Sequence, residues 1–229
     1  MRQSVRDIFP SFSESFEGAV PWLYSDIKGL VTIAIGNLVD PVSAALTLPL
    51  RRPDGSPATR AEIAAEWARV KNDPKCATLG YRYAETITTL RLTDDGVAEV
   101  VGAKLRELDA AMRRRFPAFE TWPAEAQLAT LSMCWACGPA FAFPVLASAL
   151  ARRDFSAAAR NCHIDDAHNP GVTPRNRADV ALYTNADVVE RHGLDPDIIT
   201  WPRTVTLGGD GAVVYALPDP PDPPPDDEA

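Results

Sequence analysis

Two carboxyls and a hydroxyl stand at short intervals near the start of the chain: Glu17, Asp26 nine residues on, and Thr32 six beyond that. A carboxyl that keeps its proton beside one that stays ionised forms a general acid and base pair. A hydroxyl on a rigid strand can hold a water between them. Glu17 closes an apolar face set by Phe9, Phe12 and Phe16, which recur at the three- and four-residue steps of a helix with one buried side. Partial desolvation at that face would favour its neutral, proton-donating form. Asp26, just before the tight Lys28-Gly29 turn, sits in more open surroundings and should stay ionised. Taken singly, these are a surface Glu, a turn Asp and a strand Thr; their joint placement is what points to chemistry.

The elements that must position them can be read next. Residues 9 to 17 form the helix, and Gly18 ends it. From Trp22 to Gly36, Leu30, Thr32 and Ala34 alternate with Val31, Ile33 and Ile35, the pattern of a half-buried hairpin that folds Thr32 back beside Asp26. Helix end and hairpin should make two walls of a cleft.

The frame E-G-x5-Y-x-D-x2-G-x2-T-I-x-I-G, carried here by Glu17, Gly18, Tyr24, Asp26, Gly29, Thr32, Ile33, Ile35 and Gly36, resembles the catalytic segment of the phage-type (T4-like) lysozymes, a muramidase family similar to glycoside hydrolase family 24. The chain departs from that family where T-I-G-x-G-H becomes Thr32-Ile33-Ala34-Ile35-Gly36-Asn37. The family's His is mainly a structural partner, so the change bears on local stability more than on chemistry. The resemblance covers residues 5 to 185, strongly at the start and diffusely afterwards. It implies Glu17, Asp26 and Thr32 as catalytic residues and Tyr24 and Asn37 as substrate contacts. It also implies an α+β, predominantly α fold of two lobes, a small N-terminal β-hairpin lobe and a larger helical one, with a glycan strand bound between them. The implied reaction is hydrolysis of the β-1,4 bond between N-acetylmuramic acid and N-acetylglucosamine, with inversion and hence carboxyls about 6.5 to 9.5 Å apart. No cofactor or metal is needed. In the family an Arg from a loop-to-helix segment pairs with the catalytic Glu. Asn169 to Arg177 is the comparable segment, with Arg177 as the counterpart, Arg175 as the alternative because one residue is inserted, and a solvated helix-start arginine as the rival reading.

Along the rest of the chain, residues 40 to 57 carry Pro41, Pro49, Pro53, Pro57 and Asp54-Gly55, a loop composition. Thr59-Arg60-Ala61-Glu62 is a capping box opening a helix through Ile63, Trp67 and Val70. Cys76 to Leu92, with Tyr81, Tyr83, Ile87 and Leu90, is ambiguous between an irregular lobe and strands. Its aromatics are core or substrate contacts. Thr93-Asp94-Asp95 starts a long helix through Val97, Val101, Leu105, Leu108 and Met112, the counterpart of the family's lobe-joining helix. Arg113, Arg114 and Arg115 read as its solvated end. Pro123 opens a helix buried on most sides through Leu128, Leu131 and Trp135, and Gly138-Pro139 closes it. Two more helices follow, 141 to 151 and 155 to 162, and then one through Tyr183. The expected organisation is a catalytic domain over 1–200 with an insertion at 40–92, a hairpin over 201–216 with its turn at Gly208 to Gly211, and a disordered, Pro- and acid-rich tail over 217–229. Hairpin and tail are an attachment point to a carrier or a ragged end.

The formal charge of −8 suits neither nucleic acid nor an anionic wall, but five of the acids fall in the last eleven residues, so the remainder is only mildly acidic. No apolar run is long enough for a membrane span, and the N-terminus lacks a signal's apolar segment. The expectation is a monomer made in the cytoplasm and carried to the cell wall by another system, as a phage lysin, a tail enzyme or a secreted effector with an immunity partner. The four cysteines read as reduced thiols. Cys134 and Cys137 have CxxC spacing but lie in an apolar helix, where a shared core face outweighs redox or zinc use. Cys162, His163 and His168 lack the second pair that a metal site needs. The rival functions are a lytic transglycosylase, which uses one acid and no held water, and a wall-binding protein that kept the scaffold without turnover. A serine or cysteine hydrolase is disfavoured, since no G-x-S-x-G elbow occurs.

Overall fold

The first helix, α1 (Gln3–Glu17), begins six residues before the aromatic spacing marks it, because Val5 continues the same buried stripe as Phe9 and Phe12. This computed structural model describes residues 1–167, 169–207 and 213–216. The chain has the expected α+β, mainly helical class. It divides into two compact units, Arg6–Ala110 and Met1–Val5 with the chain from Ala111 onward.

Within the Arg6–Ala110 unit, Gly18 ends α1 with its N–H on the Glu14 carbonyl at 2.8 Å and φ +68, a left-handed conformation that costs Gly little for want of a Cβ. The sheet follows as β1 (Val20–Ser25), β2 (Val31–Ala34) and β3 (Asn37–Leu38), antiparallel in the order β1-β2-β3. The hairpin was legible; the two-residue third strand was not. The turn from β2 to β3 places Ala34 at φ +56, a left-handed conformation at a position where the resembled family carries Gly. Segment 40–57 holds more structure than its loop composition implies. It contains the single turn α2 (Val42–Ala45), and bridges join Arg51 to Pro57 and to Arg91.

The capping box forms as expected at the start of α3 (Arg60–Asn72). Glu62 N donates to Thr59 Oγ1 at 3.3 Å, and Thr59 N donates to Glu62 Oε2 at 2.7 Å. Arg52 adds a two-pronged contact with Glu62 at 2.8 and 2.7 Å, and together with the Thr59 donors it pulls that carboxyl down to about 2. The ambiguous stretch from Cys76 resolves as helix: α4 (Pro74–Ile87) starts on an Asp73 cap and breaks its φ/ψ at Gly80. Its Tyr and Thr residues read as strand formers, but the cap, Pro74 in the first turn and packing against β1 outweigh that local preference. The long helix α5 (Asp94–Arg115) buries Val101, Leu105, Leu108 and Met112.

In the other unit, α6 (Ala124–Cys137) is buried from Ala124 to Cys134 and packs against α9 (Thr173–His192), with α7 (Pro144–Ala151) and α8 (Phe155–Asn161) beside them. Trp122 sits among Phe116, Phe119 and Phe155. Two expectations change here. Cys134 is buried but Cys137 is exposed, because the last turn of α6 emerges towards Gly138, so the two thiols do not share a core setting. Arg115 is no solvated cation: its guanidinium lies 4.2 Å from the Phe141 ring and donates to the Phe141 and Pro139 carbonyls, while Arg113 pairs with Glu120.

Beyond α9, one oxygen of buried Glu125, Oε1, accepts from Thr200 N and Oγ1, both at 2.7 Å, and from Trp201 N and Asn185 Nδ2, both at 3.0 Å. Asn185 Oδ1 in turn accepts from Val205 N at 2.8 Å, docking β4 (Thr204–Leu207), which pairs antiparallel with β5 (Val213–Ala216). The expected hairpin turn, the expected disordered tail and His168 lie outside the described residues. Among those described, no helix is long and apolar enough to cross a membrane.

Ala34→Gly should raise the unfolding free energy by about 0.5–1 kcal/mol, since relief of a left-handed alanine exceeds the entropy that Gly adds to the unfolded chain. Urea unfolding of the two proteins checks this, and a loss of stability would remove the strain argument.

Candidate active site

The sheet register brings the sequence-marked residues together. Tyr24 on β1 lies directly opposite Thr32 on β2, so their side chains share a face of the sheet. Asp26 follows Tyr24 by two residues at the end of β1, where its N–H donates to the Leu30 carbonyl at 2.9 Å. Its side chain shapes the turn: Oδ1 accepts from the backbone N–H of Lys28 and of Leu30, both at 2.8 Å. Both bonds fall on Oδ1, so Oδ2 carries none among the described residues.

Thr32 is buried, and its hydroxyl donates to the Leu30 carbonyl at 3.2 Å. With that proton committed, Oγ1 offers only lone pairs to anything beside it. It can accept a hydrogen bond but not give one.

Glu17 is exposed at the end of α1, near the surface as a helix end implies, but without the partial desolvation expected of a carboxyl closing an apolar face. Phe9 and Phe12 fill the core from earlier turns, and α1 stops as Glu17 leaves it. Its place relative to the hairpin is nevertheless marked by Tyr24, whose phenol is pushed up to about 12, first by burial and then by the charges of Glu17 and Asp26. Both carboxylates therefore act on one hydroxyl, which sits across from Thr32. Glu17, Tyr24, Asp26 and Thr32 form the candidate site within the Arg6–Ala110 unit.

Asn37 is placed elsewhere. On β3 it pairs with Ile33, whereas Leu38 pairs with Thr32, so alternation turns Asn37 to the opposite, buried face of the sheet. Its Oδ1 finds no hydrogen-bond partner among the described residues. Arg177 is exposed near the start of α9 in the other unit. Arg175, its alternative, is buried there and donates to Ser132 Oγ at 3.0 Å. One helical turn on from Arg175, Asp179 is fully buried, and burial pushes its carboxyl up to about 8.

Residues that the motif did not mark hold the site in shape. Lys71 on α3 donates to the Gly29 carbonyl at 2.8 Å and to Asp40 Oδ2 at 2.5 Å, gripping the turn that carries Asp26. Asp40 Oδ2 also accepts from Val31 N on β2 at 3.3 Å, and Trp67 Nε1 donates to the Val39 carbonyl at 2.9 Å. No spacing rule could have joined Lys71 to Gly29 across that separation. A cation in the last turn of a capped helix was the available signal, and it reads equally well as a dipole partner.

The chain matches no protein-family model and no curated protein.

Two outcomes follow. In a spectrophotometric titration, with Tyr24→Phe as the reference that subtracts the other raised phenols of Tyr83 and Tyr183, Tyr24 should ionise only at about pH 12, and the double variant Glu17→Gln/Asp26→Asn should lower that value while leaving it above 10, because burial is the larger cause. Lys71→Met should cost about 1.5–3 kcal/mol in denaturant unfolding at pH 7, the value of hydrogen bonds to a charged group. The Asp40 carboxyl is held below its usual 3.8, chiefly by Lys71, so its contribution is complete above that pH and is lost as pH falls through the lowered value. The gap between wild type and Lys71→Met should therefore narrow below about pH 4.

Proposed function

We propose that the chain is a peptidoglycan muramidase, hydrolysing the β-1,4 bond between N-acetylmuramic acid and N-acetylglucosamine on the face of the sheet that carries Tyr24 and Thr32. The observation that carries this reading is the strand register that sets Tyr24 directly opposite Thr32 with the turn carboxyl of Asp26 two residues on, and the charge of Glu17 also raises the Tyr24 phenol. Glycoside hydrolysis needs two carboxyls with different duties, and the two here differ in setting: one is exposed at a helix end, the other tied into a turn.

Glu17, as the acid, gives its proton to the departing glycosidic oxygen as the bond to the anomeric carbon breaks. A water donates one hydrogen to Thr32 Oγ1 and the other to Asp26 Oδ2, leaving a lone pair for the anomeric carbon. Thr32 is suited to this because its own proton is spent on Leu30. As the new C–O bond forms, Asp26 accepts the water's proton. Glu17 ends ionised and Asp26 neutral, and exchange with solvent resets both. Attack on the face opposite the leaving group gives inversion. The Tyr24 phenol stays neutral through this cycle, since burial and the two nearby charges hold its proton.

The reading implies peptidoglycan as partner and the cell wall as the place of action. Purified peptidoglycan incubated with wild type and with Glu17→Gln, followed by mass spectrometry of soluble fragments, tests it. Reducing-end muropeptides from wild type, falling by at least about 100-fold in the variant, are expected from loss of a general acid. Anhydro ends would reassign the chain to a lytic transglycosylase, and binding without release would make it a wall-binding protein.

A further inference from the structure

Tyr81 is an aromatic side chain that the core does not use. It is 43% exposed, next but one to Leu79 at 60%, on the stretch of α4 that Gly80 breaks with φ +70 and ψ −163. The position is nonetheless held firmly. Trp22 Nε1 on β1 donates to the Tyr81 carbonyl at 2.9 Å, and the Trp22 ring is covered by Arg91 at 4.9 Å. Arg91 is itself spent on the carbonyls of Leu90 and Thr88.

The Tyr81 ring meets the Tyr24 ring edge to face, with centroids 6.4 Å apart. Tyr24 lies opposite Thr32 in the candidate site, so Tyr81 continues the site outward by one ring. Over Tyr81 lies the Arg82 guanidinium, 5.9 Å from the centroid, exposed and without a hydrogen-bond partner among the described residues.

We propose that Tyr81 and Arg82 form a sugar-binding platform beside the candidate site: Tyr81 packs against the C–H face of a glycan ring, and Arg82 pairs with a carboxylate borne by that glycan. This rests on the reading of the site as a glycan site. The chemistry is complementary. The Asp26 carboxylate repels an anionic substrate where the bond is cut, and a cation one ring away recovers the attraction and sets which sugar lies there. An exposed aromatic ring offers apolar contact without losing the rotamer freedom that a long aliphatic side chain would. The two residues belong to segment 40–92, so the platform comes from the part of the chain that lies outside the motif.

Binding is best measured without turnover, in the Glu17→Gln background, against insoluble peptidoglycan and against an uncharged N-acetylglucosamine oligomer. Tyr81→Ala should weaken both about 5- to 10-fold and Tyr81→Phe neither, as expected for ring packing. Arg82→Gln should weaken only the carboxylate-bearing peptidoglycan. Thermal melts of each variant separate lost binding from lost folding. If the Glu17→Gln parent binds and Tyr81→Ala binds equally well, the platform is overturned while the glycan reading stands. If Arg82→Gln weakens both ligands equally, the carboxylate pairing is overturned. A folded parent that binds neither ligand removes the glycan reading and the platform with it.

Discussion

One ammonium group holds the candidate site in register. Lys71 reaches the carbonyl of Gly29 inside the turn and the carboxylate of Asp40 beyond it, and Asp40 returns to the backbone of Val31. Turn, second strand and α3 thus close into a ring of hydrogen bonds around a charge that is about one-third exposed. A partly covered charge satisfied on two sides is hard to remove piecemeal, because losing either acceptor leaves the ammonium under-paired. Segment 40–92 is therefore part of what holds the candidate site together. It contains the brace, and Trp67 on the same helix adds a second tie to the Val39 carbonyl.

The division of labour between the two carboxyls then follows from backbone geometry more than from burial. Asp26 spends one oxygen on the turn, which fixes the direction of the other. Glu17 stands at a helix end that Gly18 cuts short. Burial, then the charges of Glu17 and Asp26, push the Tyr24 phenol up, and its neighbour across the strands has committed its hydroxyl hydrogen to the backbone. Each polar group at the site thus has a limited set of roles as donor or acceptor before any ligand arrives.

The parts of this arrangement that could be read from the sequence are the local ones. Phe9 and Phe12 gave the first helix through a period that survives without tertiary information. The alternation around Thr32 gave the hairpin, and Thr59 with Glu62 gave a helix start that the structure reproduces atom for atom. Contacts between distant segments were hidden. Lys71 and Gly29, Trp22 and Tyr81, and Glu125 and Thr200 are joined only by the folded chain. Asn37 was misplaced for a related reason. A motif fixes spacing along the chain, but a third strand settles which face a residue turns to. Glu17 lies at the surface as a helix end implies, but the partial desolvation expected of it did not follow, because an apolar stripe fixes the direction of a helix face without fixing where along it the core stops.

The four donors gathered on a single oxygen of Glu125 bear on how the Ala111-onward unit holds together. A buried carboxylate that draws its hydrogen bonds from Thr200, Trp201 and Asn185 makes the segment after α9 part of the solvation of α6. Burial already pushes the Glu125 carboxyl up and these donors oppose that push, so removing the segment would leave a buried polar group unsatisfied and drive it to take up a proton. The stretch through Val205 consequently shares in the cooperativity of the helices. Protease resistance should extend along the chain to β4 rather than end with the last helix.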